Sequence, residues 1–131
     1  MDKGKPGTSS GGRAKSIIAE LHAQDEKARN GSNLGAALLV VALPRQLLAI
    51  GPKPEALQDL EKAIRDGGLP LGFILIIAGA NDTYHLRTAR LPERANDETA
   101  RSLLDSMGQH VADQFERDTG AYVGRTKERN L

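Results

Sequence analysis

The chain contains no cysteine, so the search for catalytic or metal-binding groups starts from its histidine, serine and carboxylate side chains. That removes disulfides, thiolate zinc sites, iron–sulfur clusters and thiol nucleophiles together. The histidines are His22, His85 and His110, and no two stand at metal-ligand spacing. His110 has Asp113 three residues on and Gln114 four on, which puts them on one helix face. Zinc normally needs three or four ligands, so this pair reads as a polar surface and no metal site is expected. Ser9, Ser10, Ser16, Ser32, Ser102 and Ser106 fall in tails, caps or helices, and no Gly-x-Ser-x-Gly elbow surrounds any of them. Asp82 and Glu93 sit in turn-forming sequence and read as turn residues. No Gly-rich phosphate loop precedes a Lys-Ser/Thr pair, and Gly67-Gly68 follows a helix rather than opening one. The expectation is a protein without catalytic residues, cofactor or metal.

Charge offers a second kind of chemistry. The 18 Lys and Arg nearly balance the 17 Asp and Glu, but they are unevenly spread. Lys3, Lys5, Arg13 and Lys15 face only Asp2 near the N-terminus, and Arg125, Lys127 and Arg129 face only Glu128 near the C-terminus. Basic ends around an acidic body could hold a phosphate backbone. Arg87, Arg90 and Arg94 are further cations in the body. Stacking on unpaired bases needs exposed aromatics, and only Tyr84 and Tyr122 are candidates. Nucleic-acid binding through the basic ends is therefore the alternative rather than the leading reading.

The elements that must position these groups follow from periodicity and punctuation. Residues 1–13 are rich in Gly, Ser and Lys and are expected to be a disordered basic tail. A helix is expected from Ala14 to Arg29, with Ile17, Ile18, Leu21 and Ala28 apolar and Glu20, Asp25, Glu26 and Lys27 wet; Asn30-Gly31 stops it. Leu38 to Leu43 is a continuous apolar run that reads as strand or as a Pro-kinked helix. Pro44 disfavours the helix, so Ala37 to Leu43 and Leu47 to Ile50 are taken as strands. Pro54 opens a helix carrying Leu57, Leu60 and Ile64, which Gly67-Gly68 ends. Leu71 to Ala78 is apolar on both faces and reads as a central strand. A turn at Gly79 to Asp82 leads to an antiparallel strand over Thr83 to Leu91. Asn96 or Asp97 caps the last helix, whose stripe is Ala100, Leu103, Leu104, Met107, Val111 and Phe115.

The fold expected is α+β: a single two-layer domain over residues 14–120, with an antiparallel hairpin sheet of two to four strands packed by three helices. Residues 121–131 are expected to be a basic C-terminal tail, with Tyr122 and Val123 as the residues that could pack back on the domain. No secretory leader or span of about 20 apolar residues is visible, so the expected location is cytoplasmic and no membrane is involved. The run from Leu34 to Ile50 is more apolar than the rest of the chain can readily cover. Uncovered apolar surface usually marks association, and a symmetric homodimer is the commonest solution. The expected function is a small adaptor that binds itself or another protein, with interface residues Leu38, Val40, Leu47, Leu104 and Val111.

Overall fold

The computed structural model describes residues 9–32, 35–51 and 55–125. Helix α1 is Ser9–Ser32, strands β1 and β2 are Ala36–Ala42 and Leu47–Ala49, and helix α2 is Glu55–Gly67. Strands β3 (Gly72–Ala78) and β4 (Tyr84–Arg90) follow, then helix α3 (Glu98–Thr119) and strand β5 (Val123–Arg125). The class is α+β, as expected, but the sheet is larger and mixed. It has five strands in the order β2-β1-β3-β4-β5. The first three neighbour pairs are antiparallel, and β5 runs parallel to β4. The helix expected from Ala14 starts at Ser9, and the stretch expected as a tail from residue 121 contains β5.

The architecture has three layers rather than two. In β3, Phe73, Leu75 and Ile77 join a core with Ile17 and Leu21 of α1 and Leu60 of α2. Ile74 and Ile76 point the other way and join Leu86, Leu104, Val111, Ala112 and Val123. The alternation follows from the two-residue period of a strand, and both faces are covered because both are apolar. Each fully buried Leu, Ile or Phe contributes roughly 1.5–3 kcal/mol, so β3 is the spine of the domain. Gly108 lets α3 lie close on β4: a β-carbon there would stand 3.0 Å from Thr88 Cγ2.

Local chemistry sets the boundaries. Asp97 is the cap of α3, accepting a hydrogen bond from the Ala100 N–H at 3.0 Å. Gly120 ends that helix at φ 76°, a left-handed conformation that glycine adopts without penalty. Asp25 departs from expectation. It occupies a slot in the α1 stripe of Ala14, Ile17, Leu21 and Ala28 and is buried. Its Oδ1 accepts the Ala36 N–H at 2.8 Å and its Oδ2 accepts Arg29 at 2.8 Å, tying the end of α1 to the start of β1.

The β3–β4 hairpin turns through Asn81 (φ 60°, ψ 38°) and Asp82 (φ 59°). The Thr83 N–H donates to the Ala80 carbonyl at 3.3 Å and closes a type I′ turn. Asn and Asp tolerate this conformation, but glycine is better suited at the second position. Asp82→Gly should therefore raise stability by about 0.5–1 kcal/mol, read as a higher Tm. A lower Tm would contradict the turn assignment.

Candidate protein-binding face

Helix α3 lies across β3, β4 and β5. Its burial of the lower sheet face fades beneath β1 and β2. Leu38 of β1 and Leu47 of β2 are only half-buried there, while Val40 beside them is 4% exposed. Ala49 lies opposite Val40 in the ladder and is exposed. From α3, the half-buried Met107 faces Leu47 across a groove, and Leu103, one turn earlier on the same helix face, is 43% exposed. Pro44 turns the chain between β1 and β2, and a shallow groove of about 430 Å³ runs between this turn and α3. Pro44, Arg45, Gln46, Leu47, Ser106, Met107 and His110 line it.

Leu47 and Met107 are apolar side chains of this groove, Leu38 and Ala49 lie on the same sheet face, and Arg45, Gln46, Ser106 and His110 supply polar groups beside them; together they make an apolar strip with a polar rim. Ser106 and His110 stand one turn apart on α3, and no carboxylate lines the groove with them. Among the described residues, no three His, Asp or Glu side chains cluster in a way that could hold a metal ion. No helix among them is long and apolar enough to cross a membrane.

The five expected interface residues divide. Leu38 and Leu47 reach the strip. Val40, Leu104 and Val111 do not offer surface: they are 4%, 1% and 7% exposed and pack against one another's neighbours inside the chain. The reason is that the amphipathic stripe of α3 folds back onto its own sheet. Leu103 and Met107, both members of that stripe, lie at its margin and take the exposed role instead.

The basic residues divide as well. Lys3, Lys5, Lys127 and Arg129 lie outside the described residues. Lys15 is exposed. Arg13 is ion-paired to Glu93 and also donates to Ser16. Arg94 is structural, with its Nη2 donating to the Leu69 carbonyl at 2.7 Å and its Nε to Pro70 at 3.2 Å. Arg90 donates to the Asp97 carbonyl at 3.3 Å. Arg125 holds β5 against α3, donating to Glu116 at 2.9 Å and Asp113 at 2.6 Å. Of the cations expected to meet phosphate, Arg13 and Arg125 are thus already committed to carboxylates.

The Glu116 carboxyl feels this arrangement most. The Arg125 guanidinium, and then the Val123 N–H that donates at 2.8 Å, hold its pKa down at about 2 against an ordinary 4.5. A depressed carboxyl stabilises the fold above its unfolded pKa and loses that contribution as pH falls through its folded one. The Val123 amide resonance is therefore expected to titrate with a midpoint near 2, and to lose that titration in Glu116→Gln. A midpoint near 4.5 would show that the contacts of Glu116 with Arg125 and Val123 do not form.

Comparison with protein-family models, with curated proteins and with solved structures found no match. The reading of the strip therefore rests on its own chemistry.

Proposed function

We propose that the chain is a small, non-catalytic protein-binding module of the cytoplasm that self-associates as a homodimer. The observation that carries this reading is the strip itself: Leu38, Leu47 and Met107 stay partly exposed on the sheet face that also carries the exposed Ala49, and Leu103 is exposed one helical turn from Met107. Apolar surface gathered in one place and rimmed by polar side chains is the usual sign of association. A second copy of the same chain offers a matching strip at no cost in specificity, since one patch serves both sides of a two-fold interface. Binding of phosphate backbone is less favoured, because Arg13 and Arg125 are already paired with carboxylates.

Light scattering at two concentrations tests the proposal. The average mass should rise with concentration, as mass action requires of a weak dimer. Leu47→Asp puts a charge at a half-buried position of the edge strand β2, so it should suppress the rise while leaving the circular dichroism unchanged. A wild-type mass that stays at one chain at both concentrations would overturn the reading.

A further inference from the structure

Strand β2 forms one edge of the sheet, and the phase of its ladder with β1 can be read directly. The Leu43 N–H donates to the Gln46 carbonyl at 2.9 Å, and the Ile50 N–H donates to the Leu39 carbonyl at 2.8 Å. Antiparallel ladders alternate between bonded and non-bonded pairs. With Val41 opposite Leu48 between those two rungs, Leu48 directs its backbone groups at β1. Leu47 and Ala49 therefore direct theirs outward. Among the described residues nothing receives them.

Exposed edges are normally protected by charge, proline or a bulge. The opposite edge, β5, carries Arg125 held by two carboxylates. Strand β2 is short, Leu-Leu-Ala, and carries no charge, proline or bulge of its own; Pro44 and the exposed Arg45 stand only in the turn before it. Its outward residues are also the ones whose side chains stand on the apolar strip, because Leu47 lies opposite Ala42 and Ala49 opposite Val40.

We propose that β2 pairs antiparallel with the β2 of a second copy, about a two-fold axis between the two Leu48 residues, so that two five-stranded sheets become one. This rests on the self-association proposed above and names its geometry. Leu47 exchanges both backbone hydrogen bonds with the partner's Ala49, and Ala49 does the same with the partner's Leu47. Both members of each pair point outward in phase, which makes the edge self-complementary. A slip of one residue would set Leu48, whose groups are already used by β1, against an outward residue. On the strip, each Leu47 side chain lies beside the small side chain of the partner's Ala49, a cross-strand pair that covers apolar surface on both copies.

The natural chain has no cysteine, so single-cysteine variants are unambiguous probes. The two-fold makes Leu48 and the partner's Leu48 a non-bonded pair with Cα atoms about 4.5 Å apart, within disulfide range. Leu48→Cys in the full chain should give a covalent dimer under mild oxidation. Adding Ala49→Pro removes one outward N–H at an edge position where proline is tolerated, and should abolish the cross-link while leaving the circular dichroism unchanged. Leu103→Cys reports the other geometry, strip packed face to face on strip. Amide exchange on the wild type needs no variant to fold: at high concentration the Leu47 and Ala49 amides should slow by about ten-fold or more relative to dilute protein. If light scattering shows a dimer but Leu103→Cys cross-links and the two amides stay fast, edge pairing is wrong and self-association stands. If the mass never rises, both proposals fall.

Discussion

Gly72→Ala should destabilise the protein by about 3 kcal/mol, near the upper end of what one added methyl group costs in a packed site. A β-carbon at this position would stand 2.2 Å from the Ala89 carbonyl oxygen and 2.8 Å from the Arg90 Cα. Both are backbone atoms of β4, the strand that pairs with Gly72 in register with Arg90. A side chain could rotate away, but these atoms cannot move without shifting the β3–β4 ladder. The damage would spread to Phe73 and Ala89, the next rung. Urea denaturation of the two proteins measures the difference. A loss under about 1 kcal/mol would mean that β4 yields easily and that the sheet is looser than described.

Asp25→Ala should cost about 2–3 kcal/mol, because it strips partners from groups that are costly to leave unpaired. The Ala36 N–H would lose its 2.8 Å acceptor at the entrance to β1, and Arg29 would lose its 2.8 Å ion pair. Asp25 is 8% exposed, so water could not simply replace it. Asp25→Asn keeps an oxygen for the Ala36 N–H and should recover part of the loss. Equal destabilisation by both variants would assign the effect to charge rather than to the backbone bond. The entry to β1 also positions Leu38, so the alanine variant is expected to disturb the strip along with the fold.

Much of this fold could be read in the residues. Phe73, Leu75 and Ile77 against Ile74 and Ile76 announced a central strand, and the structure buries both sets on opposite faces. Pro44 separated β1 from β2, and the Asn96-Asp97 pair marked the start of α3, where Asp97 is the cap. What stayed hidden was non-local. Strand β5 has three residues and one buried side chain, Val123, so no period exists to detect. Asp25 looked wet by type, although its position in the stripe of Ala14, Ile17, Leu21 and Ala28 was a signal of burial.

The candidate face was half legible for a related reason. The apolar excess between Leu34 and Ile50 pointed to β1 and β2, and Leu38 and Leu47 do reach the surface there. An amphipathic helix has one apolar stripe whether it covers a partner or its own sheet. Sequence alone therefore put Leu104 and Val111 at an interface, whereas the structure spends them on the core and leaves Leu103 and Met107 at the margin.

Self-association, as proposed above, would run through the strip that α3 leaves open. Following backbone amide shifts while the protein is diluted from roughly 500 to 10 μM tests it at residue level, across the range where mass action separates a weak dimer from its monomers. Concentration-dependent shifts are expected on β2 and the strip beside it, largest at Leu47 and Ala49, with α1 and β5 unmoved. Shifts that do not change on dilution, or that gather on α1 and β5 instead, would contradict it.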